Sequence, residues 1–232
     1  MYKLFFSFVL LAYFYRMSNF RFNRPETFPP VVKNLIIINV IVFVACIALQ
    51  DKYTLPGYEH FGLRAILALW PINDVYFRPY QIATHLFTHA DIGHLFFNMF
   101  NLWMFGRILE NVWGAKRFLN FYLACGLAAA ATHLAVQYFT GQSSFAVGAS
   151  GAVMGVMVGF AYLFPNTELM IIFIPIPIKA KWIVTALVAI DLFSGLGKFS
   201  GDNVAHFAHL GGALAGFIIV YYWNKKNRKS LY

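Results

Sequence analysis

The sequence predicts an all-α fold, a polytopic membrane bundle of six transmembrane helices, and three observations predict it. Hydrophobic residues make up 60% of the chain and charged residues only 12%, whereas a soluble domain runs nearer half apolar and a quarter charged. Six segments approach the roughly 20 mostly apolar residues that a helix needs to cross a hydrocarbon core about 30 Å thick. The lysines and arginines behind the net charge of +9 sit between those segments rather than on one face, a distribution that suits membrane orientation and not nucleic-acid binding.

In chain order, Leu4–Tyr15 is apolar but short for a span. It lacks a small-residue cleavage site, which argues against a signal peptide. Met17 offers a later start that would make residues 1–16 a mis-assigned extension. Pro25, Pro29 and Pro30 mark a linker, so residues 1–33 read as an N-terminal cytoplasmic segment. The spans fall at about 34–50, 90–107, 117–138, 148–165, 181–196 and 204–223. They define a bundle over 34–223, followed by a basic cytoplasmic tail over 224–232. The sixth runs from Val204 to Trp223 without a charge, while the fifth is short and carries Asp191. Of the 18 Lys and Arg, six spans leave only Lys52, Arg64, Arg78 and Lys198 on one side. Both termini are therefore expected in the cytoplasm, and five or seven spans would scatter the charges. The loop over 51–89 contains Phe61, Leu63, Ile66, Leu67, Leu69 and Trp70, and is expected to lie in the interface as short amphipathic helices. Cys46 and Cys125 lie in apolar runs, so neither a disulfide framework nor a cysteine-rich metal site is available.

Ionisable and polar residues inside spans are functional-site candidates by default. In the second span His94, Asn98 and Asn101 fall within about 40° of one another on a helix, a single polar stripe that must face the bundle. Alone, such a stripe is equally interhelical hydrogen-bond glue. His85 and His89, just upstream, have helical metal-ligand spacing but are expected to satisfy loop backbone. The fourth span opens with Gly148-Ala149-Ser150-Gly151, and Gly151, Gly155 and Gly159 repeat at four-residue intervals as a packing face. Ser150 stands at a helix start beside backbone N–H groups that lack intrahelical partners, as a nucleophile with an adjacent oxyanion site requires. In the sixth span Gly212 and Gly216 define the packing face, and His209 lies nearer to it than His206, which is left as structural or loop-orienting. Spans two, four and six run from outside to inside. Ser150, His209 and the His94/Asn98 pair thus share one layer on the order of 10 Å below the outer surface.

These residues resemble the rhomboid family of intramembrane proteases. The resemblance rests on His89-Ala-Asp-Ile-Gly-His94-Leu-Phe-Phe-Asn98, Gly148-Ala149-Ser150-Gly151 and Ala208-His209-Leu210-Gly211-Gly212, supported by Gly106-Arg107…Glu110…Trp113-Gly114. It implies a Ser–His dyad in a water-filled cavity open to the outside, with Ser150 as nucleophile and His209 as general base. His94, Asn98 and the Ser150 N–H would hold the oxyanion. No acidic third member, no metal and no cofactor are implied. The implied partners are the lipid bilayer and single-pass membrane proteins, cut within or near the outer end of their transmembrane helix. Two positions depart from the family. Met154 stands where a tyrosine often stacks on the base, and Arg78 follows Phe77 rather than a tryptophan.

Two other readings are a non-catalytic rhomboid-like protein that binds membrane clients, and a transporter or metal carrier using the seven histidines. Nothing in a binding role requires both Ser150 and His209, and no His-Glu-x-x-His or paired-carboxylate pattern occurs. The lack of a long basic presequence favours a bacterial inner membrane.

Overall fold

The computed structural model describes residues 25–171, 174–196 and 203–229. The extension over 1–16, Lys198 and the end of the basic tail lie outside the described residues. Every apolar segment expected to span falls on helix. The first is α1 (Pro30–Ala48), which begins on a proline at its first turn, where the missing N–H costs nothing. Ile37, Ile38, Val40, Ile41, Val44 and Ile47 are all exposed on it, as a lipid-facing surface would be. After short helices α2 (Leu63–Leu67) and α3 (Gln81–Thr84), the second segment is assembled from three pieces. These are α4 (Ile92–Asn101), a π turn (Leu102–Gly106) and α5 (Arg107–Trp113). Asp91 starts α4 by accepting the His94 N–H at 2.8 Å, the usual work of an N-cap carboxylate. α6 (Ala115–Thr140) ends at Gly141 in the left-handed region, and α7 (Ser150–Leu163), α8 (Ala180–Leu196) and α9 (Asn203–Lys229) follow.

Among the described residues, α1 and α6 are long and apolar enough to cross a membrane by length and composition, with mean hydropathies of 2.5 and 1.5. α7 has 14 residues and is shorter. The all-α expectation needs one correction. Strands β1 (Glu168–Ile171) and β2 (Ile174–Lys179) pair antiparallel between α7 and α8, with Glu168 opposite Lys179 and Leu169 opposite Ile178. The alternation Ile-Pro-Ile-Pro-Ile-Lys over 174–179 is a period-two pattern, and prolines are tolerated where a strand has a free edge.

α9 packs on α6, α7 and α8. Small residues set its depth. A methyl group on Gly216 would stand 2.7 Å from the Gly155 carbonyl oxygen, and one on Gly155 would stand 2.8 Å from that of Gly212. A side chain on Gly212 would strike the Gly151 backbone. The expected glycine face therefore joins α7 to α9 over Gly151 and Gly155. The same glycines also admit α6, since a Cβ on Gly155 would meet Cys125 at 2.5 Å and one on Gly159 would meet Phe121 of α6 as well as Val220 of α9.

The loop over 51–89 forms a packed platform. Trp70 is buried among Tyr58, Tyr76 and Phe145. The buried Gln81 amide donates to the Ile66 and Tyr76 carbonyls and accepts the Arg78 N–H. Leu69 and Ala146 exchange both backbone hydrogen bonds at 2.9 Å, which ties the platform to the segment leading into Ser150.

Candidate active site

Ser150 opens α7 behind Ala149, and no side chain caps that helix start. The first-turn N–H groups consequently have no internal acceptor. Gly148 stands two residues earlier at φ +123°, a region only glycine adopts readily, and a Cβ there would meet the His94 ring at 2.7 Å. One glycine thus supplies both the turn and the room for an imidazole against it. The Gly148 N–H donates to the His85 carbonyl at 2.9 Å, fixing this turn to the platform.

His209 on α9 reaches across to α7. Its Nε2 lies 2.7 Å from Ser150 Oγ. On its other side Nδ1 lies 3.2 Å from both carboxylate oxygens of Asp191 on α8. The tautomer that satisfies both contacts carries its proton on Nδ1, donates to Asp191, and leaves the Nε2 lone pair to accept the serine O–H. The resemblance implied no acidic third member, and the structure corrects this: Asp191 sits behind His209. The physical reason is that a carboxylate in an apolar helix needs donors, and α9 offers two. His206 Nδ1 is the second, 2.7 Å from Asp191 Oδ1.

Ser150, His94 and His209 share a cavity of about 270 Å³ with His85 and His133, room for several water molecules. His133 on α6 was not singled out from the sequence, because a lone histidine in an apolar helix carries no local signal. His85 meets the expectation that it serves loop backbone, since its Nδ1–H donates to the Gln81 carbonyl at 2.8 Å. His89 is fully buried, its ring packing 5.0 Å from that of His94 and lying against the Phe87 backbone.

Asn98 is buried, yet its amide donates to the His94 carbonyl one turn back at 2.9 Å, and it does not line the cavity. Asn101 makes the same bond to Phe97. Each amide thus uses one of its two N–H donors within α4. The structure therefore brings Ser150, His209 and His94 to one cavity and leaves Asn98 one turn away.

Comparisons with known proteins agree with this architecture. The Rhomboid domain family matches residues 76–226. The chain is 30% identical over 200 residues to the mitochondrial presenilin-associated rhomboid-like protein of Bos taurus, covering 84% of this chain and 50% of the relative. It is 32% identical over 149 residues to the mitochondrial Rhomboid protein 1 of Saccharomyces cerevisiae, covering 62% of this chain and 41% of the relative. It is 29% identical over 139 residues to the rhomboid protease GluP of Bacillus subtilis, covering 60% of this chain and 25% of the relative. The chain spans about half the length, or less, of these curated relatives. With the family match covering most of the chain and both the serine and histidine motifs inside it, the chain belongs to the rhomboid family.

Proposed function

We propose that this protein is an intramembrane serine endopeptidase. The observation that carries the reading is the 2.7 Å approach of Ser150 Oγ to His209 Nε2 at an uncapped helix start, inside a largely apolar cavity that also holds His94, His85 and His133. His209 takes the serine proton as Oγ attacks the scissile carbonyl, then returns it to the leaving amine. First-turn N–H groups of α7, with His94, receive the developing oxyanion. Asp191 acts through His209, holding the Nδ1–H tautomer and stabilising the imidazolium as it forms. Asn98 contributes through its bond to the His94 carbonyl, steadying the turn that presents the ring, and its second amide N–H is available to the oxyanion.

In the same reading the chain crosses the bilayer six times over residues 34–223, with residues 1–33 and 224–232 in the cytoplasm and the cavity opening on the opposite side. The one-sided distribution of Lys and Arg supports this topology. Substrates are single-pass membrane proteins cut near the outer end of their helix, with Gly or Pro easing the unwinding that attack requires. Placement in a bacterial inner membrane draws support from the Bacillus relative, while the mitochondrial relatives carry the same domain in another compartment.

A serine-reactive fluorophosphonate tests the nucleophile without a known substrate. The native protein should be labelled. Ser150→Ala should lose labelling and at least roughly a thousandfold of its cleavage of a single-pass reporter while melting at the same temperature. Cleavage retained in Ser150→Ala eliminates the proposal.

A further inference from the structure

Asp191, His206 and His209 present a carboxylate oxygen and two ring nitrogens that all lie within 4.8 Å of one another. The two histidines stand at i and i+3 on α9, one face of one helix, and Asp191 meets them from α8. Their side chains are 12% exposed for Asp191, 25% for His206 and 26% for His209, and His209 also lines the cavity that holds Ser150. A tetrahedral ion with bonds of about 2.0–2.1 Å to nitrogen has ligand-to-ligand edges of about 3.3 Å. The Asp191–His209 edge is already 3.2 Å, and the Asp191–His206 edge is 2.7 Å. The remaining edge, between the two imidazoles, is no longer than 4.8 Å, so binding an ion requires one edge to open and the imidazole edge to adjust by side-chain rotation. Two imidazoles and one carboxylate suit zinc and its neighbours, whereas magnesium and calcium prefer oxygen ligands throughout.

We propose that Asp191, His206 and His209 form an inhibitory site for a divalent transition-metal ion such as Zn²⁺. The site stands by itself, while its inhibitory effect rests on the endopeptidase reading above. The chemistry turns on one nitrogen. In the metal-free arrangement His209 Nδ1 carries the proton and Nε2 presents a lone pair to Ser150, 2.7 Å away. A metal ion needs the Nδ1 lone pair, so as it binds the ring's single N–H proton leaves Nδ1 and a proton from water is taken up on Nε2, keeping the imidazole neutral. The nitrogen facing Ser150 becomes a donor and can no longer accept the serine proton. Occupancy also claims the carboxylate that would steady the imidazolium. The ion therefore stops the reaction from behind the base without touching Ser150 or the substrate path.

The experiment uses the full chain, stripped with EDTA in detergent micelles. It is titrated with Co²⁺ to read tetrahedral visible absorption, and with Zn²⁺ to read fluorophosphonate labelling. The native protein and Ser150→Ala should both develop the Co²⁺ bands, and Zn²⁺ should displace them. His206→Gln, which can still hydrogen-bond Asp191, and Asp191→Asn should bind Co²⁺ at least about tenfold more weakly. Thermal melts show that both variants are folded. Zn²⁺ should block labelling of the native protein, EDTA should restore it, and Mg²⁺ should leave it unchanged. Labelling of His206→Gln, measured against its own metal-free rate, should resist Zn²⁺. Absent bands in the native protein, or bands that persist in both variants, overturn the site. Bands together with Zn²⁺-insensitive labelling overturn the inhibition. Bands without any labelling of metal-free protein uphold the site and remove the endopeptidase reading.

Discussion

Two carboxylates sit among the apolar helices of this molecule, and their partners are of opposite kinds. Glu110, 3% exposed in the first turn of α5, receives the Val31 N–H on one oxygen and the Val32 N–H on the other, each at 2.8 Å. Both donors belong to the first turn of α1, where backbone N–H groups lack internal acceptors and the helix dipole favours negative charge. Asp191, 8% exposed on α8, receives two imidazoles instead. Each carboxylate has settled the cost of leaving water, but backbone donors never release their protons and imidazoles do. Glu110 is thereby a fixture that pins α1 to the second helical segment. Asp191 is connected to groups that can move charge.

The contrast predicts which variants lose chemistry and which lose stability. Asp191→Asn should lower kcat by about 10²–10⁴-fold, with KM and melting temperature nearly unchanged, as read by reporter cleavage in proteoliposomes. An unchanged kcat would reduce Asp191 to the same structural class as Glu110. Glu110→Ala strands two backbone donors and should cost about 2–4 kcal/mol of stability, seen as a lowered melting temperature. The labelling rate per folded molecule should hold. Glu110→Gln keeps one acceptor oxygen and should lose about half as much on that scale. A melting temperature equal to that of the native protein would mean that the Val31 and Val32 N–H groups find other acceptors.

What could be read from the sequence was what local geometry controls. Glycines at four-residue spacing placed α7 against α9, and helical angles preferred His209 over His206. The 2.7 Å contact with Ser150 agrees with that preference. Asp191 was visible only as a charge that weakened the fifth segment. Its partners lie on α9, and no local pattern encodes the lean of one helix on another. The bond of Asn98 to the His94 carbonyl was not legible for the reverse reason, since a polar stripe does not say whether an amide will bond across helices or back onto its own carbonyls. His133 reaches the cavity through the packing of α6 on α7, again a non-local fact. The hairpin over 168–179 did carry a signal in its alternating isoleucines, which the count of apolar residues averaged away.

The π turn at Leu102–Gly106 settles a problem of phase. In unbroken α-helix, Asn98 and Glu110 would point about 120° apart, so one of them would face acyl chains. One residue of extra winding brings them to within about 20°, and both are in fact buried. The wide turn thus works as a vernier between the first part of this segment, whose His94 lines the cavity, and its last part, whose Glu110 holds α1.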